Sequence, residues 1–164
     1  PEGAAVSNAA RTSTGAVSFM ERFSNTTREV AQKGRRGALM LTMDIAHPDV
    51  EHFITIKQDL MKVTGANISV RVSDEFLQAV EDDAEYTHRW PIDSKTPSVT
   101  KSVRARELWD TLIKCAHNSA EPGIIFWDRQ HKYSTSSVYP GFKNESTKLC
   151  GEIAAAWQAY ETVL

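Results

Sequence analysis

Asn67-Ile68-Ser69-Val70-Arg71-Val72 alternates without a break. Ile68, Val70 and Val72 fall on one side and Asn67, Ser69 and Arg71 on the other, which is the two-residue period of a strand. Ser73 follows at once, and Phe76, Leu77 and Val80 recur at helical spacing, so the strand hands over to a capped helix. Upstream, Ala38 to Met43 is short and apolar and reads as a buried strand. Downstream, Gly123 to Trp127 reads as another. Helical stretches separate them. Ser18-Phe19-Met20-Glu21 has the capping-box pattern, with Met20, Phe23, Thr27 and Val30 continuing a helix to about Gln32. Pro48 suits the first position of a second helix, Asp49 and Glu51 its positive end, and Val50, Phe53 and Ile54 its inner face. Leu108, Leu112, Cys115 and Ala116 mark a longer helix from about Lys101 to Asn118, stopped by Pro122-Gly123. Helices alternating with strands predict an α/β architecture with crossover helices. Asp82 to Pro97 is polar, with a short strand expected near Tyr86 to Trp90. Asp128 to Leu149 reads as loop, with Tyr133 and Tyr139 as packing anchors.

The 164 residues make one domain-sized unit, 41% hydrophobic and 24% charged. A net charge of -2 gives no field that would draw the chain to nucleic acid or an anionic membrane. No apolar run is long enough for a membrane span, and no signal-peptide core opens the sequence. Cys115 and Cys150 are too few for a disulfide framework, which predicts a reducing, cytoplasmic setting. Three Asn-x-Ser/Thr triplets, at Asn25, Asn67 and Asn144, read as chance matches. The chain opens on Pro1 and ends soon after Cys150, so residues 1–164 are expected to form a single, partial domain.

Several motifs could carry chemistry. Gln32-Lys33-Gly34-Arg35-Arg36-Gly37 combines permissive backbone with guanidinium forks suited to phosphate or base oxygens, although on the residues alone a solvated basic turn is the favoured explanation. It is neither a Walker loop nor a dinucleotide fingerprint. His47-Pro48-Asp49 is accounted for by helix capping. The five histidines lack metal-ligand spacing with one another or with the cysteines. Cys115 lies on an apolar helix face and reads as core. Cys150 differs, because Gly151 allows a tight bend beside it and Glu152 stands two residues on. A thiol there offers a nucleophile, a metal ligand or a thiyl radical, and the carboxylate offers a base.

Five segments together resemble the large catalytic subunit of ribonucleotide reductase, most closely its adenosylcobalamin-dependent (class II) form. They are Ser13-Thr14-Gly15-Ala16-Val17-Ser18-Phe19-Met20, the turn Gln32 to Ala38, His47-Pro48-Asp49-Val50-Glu51-His52-Phe53-Ile54, Asn67-Ile68-Ser69-Val70 with Asp74-Glu75-Phe76, and Cys150-Gly151-Glu152-Ile153. Glu121-Pro122-Gly123 leading into Phe126-Trp127-Asp128 also fits. The resemblance implies part of the family's ten-stranded α/β barrel, whose central finger carries the radical cysteine. Cys150 would be the thiyl site that takes the hydrogen from ribose C3′, and Glu152 the base on the 3′-hydroxyl. Gly15, Lys148, Leu149 and Gly151 would contact substrate. Gln32, Lys33, Arg35, Arg36 and Gly37 would form the specificity loop, with Gln32 and Arg36 on the base. The implied partners are a ribonucleotide, a nucleoside triphosphate effector, and a second copy docking through the helix that starts at Ser18. The implied cofactor is adenosylcobalamin, bound on a surface outside this chain. Two departures stand out. Lys148 occupies the position of the family's ribose-binding Asn, and an ammonium cannot reproduce an amide's donor and acceptor. The family's reducing cysteine pair is also absent from these residues. The isolated chain is therefore expected not to turn over. The alternative is a non-catalytic nucleotide-binding or assembly module derived from the reductase.

Overall fold

A computed structural model describes residues 1–30, 34–35, 37–140, 143–147 and 154–157. Its centre is a three-stranded parallel sheet of β1 (Met40–Asp44), β2 (Asn67–Val72) and β5 (Gly123–Phe126), in the order β1-β2-β5. Met43 pairs with Val70, and Val70 with Ile124. α2 (Val50–Thr55) connects β1 to β2. α3 (Asp74–Glu81) and α4 (Ala105–Ser119) lie between β2 and β5. This is the α/β alternation read from the sequence.

The core lies between sheet and helices. Ile68, Val70 and Val72 point into it with at most 1% exposure, against Val50, Phe53 and Ile54 of α2, Phe76 of α3, and Leu108, Leu112 and Cys115 of α4. Each large side chain buried in this way is worth about 1.5–3 kcal/mol. Phe76 meets Tyr86 edge-on at 5.1 Å between ring centres. The thiol of Cys115 is pushed up by burial, as suits a packing residue. α3 begins where expected, with the Ser73 hydroxyl accepting from the Phe76 N–H at 3.1 Å. Ser73→Ala is expected to cost about 1 kcal/mol of unfolding free energy in a denaturant titration.

Four local expectations are corrected. The capping box at Ser18 does not form. Val17–Phe19 is a 3-10 turn, α1 (Met20–Glu29) starts after it, and the Ser18 hydroxyl donates to the Gly15 carbonyl instead. Glu21 is drawn away to accept from the Val63 N–H at 2.7 Å. The helix expected from Lys101 begins only at Ala105, because Val99–Arg104 is β4, paired antiparallel with β3 (Glu85–Trp90). Thr100, Lys101 and Ser102 are exposed and lack the apolar alternation of a half-buried strand, which hid it. Within Asp128 to Leu149, expected as loop, lie α5 (Trp127–Tyr133), which continues from β5, and β6 (Lys143–Thr147), whose partner strand β7 lies beyond it. Tyr133 and Tyr139 are 75% and 62% exposed and anchor no core.

β6 pairs antiparallel with β7 (Ala154–Trp157), from Lys143↔Trp157 to Thr147↔Ala154. The connection between them, residues 148–153, lies outside the described residues.

Candidate nucleotide site

The turn at Gly15 is built by three anchors. Gly15 has φ +83, a left-handed value that favours glycine. Its N–H donates to the Ser13 hydroxyl at 3.1 Å, and its carbonyl accepts from Ser18 at 2.8 Å. The third anchor is Asp49, in the corner between β1 and α2. Its Oδ2 accepts from the Ala16 N–H at 2.8 Å and its Oδ1 from the Glu2 N–H at 2.9 Å. The Asp49 N–H in turn donates to His47 Nδ1 at 3.0 Å. A Cβ on Gly15 would stand 2.9 Å from both Asp49 Oδ2 and Glu2 Cβ. Gly15 itself is buried, while Thr14 and Ala16 on either side of it are exposed.

The charges follow from this geometry. Burial works to raise the Asp49 carboxyl, but the two backbone N–H bonds and nearby His47 outweigh it and hold it below the usual aspartate value. Burial pushes His47 down, favouring the neutral ring that accepts from Asp49. His47-Pro48-Asp49 is thus more than helix punctuation: it ties the chain's first turn to the end of β1.

The second candidate region lies at the other end of β1. A cleft of about 570 Å³ is lined by Thr27 and Arg28 of α1, Gly37 to Leu39, and Thr64 to Asn67. Gly37 packs so closely on α1 that a Cβ there would come 2.8 Å from the Thr27 carbonyl oxygen. Arg28 is held by Thr64 and Asn25, both at 2.7 Å. The Gly15 turn is anchored after β1, by Asp49, and Gly37 lies before β1, so the five residues of that strand, about 13 Å from end to end, stand between them. They belong to two contact regions joined by α1, not to one point. Arg35 is exposed beside this region. Gln32, Lys33 and Arg36 lie outside the described residues, as do Lys148, Leu149, Cys150, Gly151 and Glu152.

Sequence reasoning missed a third feature. A cleft of about 370 Å³ opens at the carboxyl ends of β1, β2 and β5, where Asp44, Glu75, Arg89, Asp93, Asp128 and His131 converge. Ligands in open α/β sheets commonly sit at such ends. Burial raises the Asp44 carboxyl, and the Arg89–Glu75 pair closes at 3.0 Å. Arg71 lies over the Trp127 ring at 4.9 Å. The polar side of the β2 alternation, where Arg71 stands, was the signal that could have pointed here.

The described residues contain no group of three or more His, Cys, Asp or Glu able to hold a metal, and no helix long and apolar enough to cross a membrane. The described clefts, of about 570, 430 and 370 Å³, have the size of small-molecule sites.

Comparison with known proteins agrees with this architecture. The family model described as "Ribonucleotide reductase, barrel domain" matches residues 1–163. A vitamin B12-dependent ribonucleoside-diphosphate reductase of Thermoplasma acidophilum is 38% identical over 140 residues, covering 84% of this chain and 18% of the relative. Its counterpart in Mycobacterium tuberculosis is 34% identical over 156 residues, covering 93% of this chain and 22% of the relative. A putative ribonucleoside-diphosphate reductase large subunit of frog virus 3 is 30% identical over 130 residues, covering 74% of this chain. The chain belongs to the ribonucleotide reductase family and is similar to a partial segment of its barrel domain. It spans about a fifth of the length of these curated relatives, 18% to 22%.

Proposed function

We propose that this chain is the nucleotide-handling, radical-bearing part of a B12-dependent ribonucleotide reductase barrel, reducing ribonucleotides to deoxyribonucleotides when the rest of the barrel is present. Cys150 is the thiyl residue: its sulfur radical takes the hydrogen atom from ribose C3′, leaving an S–H bond and a carbon radical. Glu152 takes the proton of the 3′-hydroxyl. The turn around Gly15 faces the sugar, with Lys148, Leu149 and Gly151 beside it. Gln32, Lys33, Arg35, Arg36 and Gly37 read the base and relay a nucleoside triphosphate effector. Adenosylcobalamin supplies the initiating radical chemistry from a surface beyond these residues.

The observation that carries this reading is the antiparallel pairing of β6 with β7, closed at Thr147↔Ala154, because the sequence between those two residues contains both Cys150 and Glu152. It supports a finger of the kind the family uses to present its cysteine. Exposed Phe23 on α1, with exposed Phe19 and Val30 at its two ends, supports docking of a second copy there.

Calorimetric titration of the isolated chain tests the nucleotide reading. Cytidine diphosphate or a deoxynucleoside triphosphate is expected to bind, and Arg36→Ala to weaken binding about tenfold, the loss of a charge-assisted pair. A chain that binds none of these nucleotides overturns it. Lys148, where the family has Asn, favours a second reading as a binding module without catalysis. That reading keeps the titration result while Cys150 contributes nothing.

A further inference from the structure

We propose that Asp49 is a positioning residue: its carboxylate, on a backbone whose N–H is held by His47 Nδ1, fixes the backbone of the Thr14–Ala16 turn. That this turn faces a nucleotide rests on the reading above. The clamp itself rests on geometry.

One carboxylate takes two backbone N–H groups from segments far apart in sequence, Ala16 at 2.8 Å and Glu2 at 2.9 Å. Asp49 is 8% exposed and His47 7%, so both acceptors work largely away from water, where such bonds hold strongly. Asp49 is rigid because it sits at the N-terminal edge of α2, and its own N–H is spent on His47 Nδ1. The turn is rigid because Gly15 is pinned from the other side by Ser13 and Ser18. No other residue type at position 15 fits without displacing Asp49 Oδ2, 2.9 Å from the place a Cβ would take. Glycine and aspartate are therefore one device. Glycine lets the carboxylate approach, and the carboxylate holds glycine in its left-handed conformation. Ala16 is exposed, so this bond is what is expected to protect its amide from exchange.

Amide exchange followed by NMR on the isolated chain tests this. In Asp49→Ala, the Ala16 and Glu2 amides are expected to exchange at least about tenfold faster, while Phe53 and Val70 in the core keep their rates. Added cytidine diphosphate is expected to shift the Thr14 and Ala16 resonances in the wild type and to do so severalfold more weakly in the variant. Unchanged exchange at Ala16 overturns the clamp. Faster exchange with no cytidine diphosphate effect in the wild type upholds the clamp and overturns the nucleotide reading of the turn. Should Asp49→Ala not fold, Asp49→Asn serves, because its single carbonyl oxygen can replace only one of the two acceptors. One amide is then expected to lose protection and the other to keep it, and protection of both overturns the proposal.

Discussion

Cys150→Ala is expected to abolish deoxynucleotide formation, by at least about a thousandfold, once the chain completes a barrel. The measurement exchanges residues 1–164 for the matching span of the Thermoplasma acidophilum relative and assays product with adenosylcobalamin and a dithiol. The effect is large because a thiyl radical needs a sulfur, and the sequence offers a single other cysteine. Cys115 is the other cysteine, and it is buried against the helices of the core. Glu152→Gln is expected to cost about 10²–10⁴-fold, the range for a lost general base, with the cysteine intact. The isolated chain is expected to give no product. A hybrid that turns over equally well without Cys150 rules out the thiyl assignment. A hybrid that is inactive as it stands but active after Lys148→Asn assigns the fault to that ammonium, and supports descent from an active site that this sequence has since lost.

The second large effect is on stability in mild acid. His88 on β3 is fully buried, and neither ring nitrogen finds a hydrogen-bond partner among the described residues. Burial pushes it from 6.5 down to about 4. The Glu51 carboxylate opposes that shift, while Lys101 and His47 reinforce it. The unfolded chain therefore takes up a proton near pH 6.5 and the folded one only near pH 4. Stability is full above the higher value and falls as the pH drops through this window, by roughly 3 kcal/mol in total. Urea titrations at several pH values between 7 and 4 are expected to show this slope, and His88→Phe to remove most of it. His47, also lowered by burial, leaves a smaller residual slope of the same sign. Asp44, raised by burial, contributes the opposite sign at the acid end. Parallel profiles for wild type and His88→Phe refute the assignment.

The parts of the fold that the sequence made legible are those governed by local pattern. β2 alternates, Ser73 caps α3, and α2 carries Val50, Phe53 and Ile54 on one face; each needs only neighbours in sequence. The parts that were hidden depend on distant partners. β4 is recognisable only beside β3, where Tyr86 opposes Val103 and Glu85 opposes Arg104. Ser18 and Glu21 match a capping box, but Gly15 and Val63 outcompete the helix end for them. The same holds for the candidate site. Resemblance singles out Gly15, yet the side chain that fixes its turn, Asp49, bonds Ala16 across 33 residues and belongs to a triplet that helix capping alone explains in the sequence.

One junction has a mechanical consequence. Glu21 and Ser24 of α1 accept from the Val63 and Gly65 N–H groups at 2.7 and 2.8 Å, and a Cβ on Gly65 would collide with the Ser24 carbonyl oxygen. Contact this tight leaves no slack for α1 to slide along its own axis. Substituting Gly65 by any residue that carries a Cβ therefore pries α1 off the segment that leads into β2.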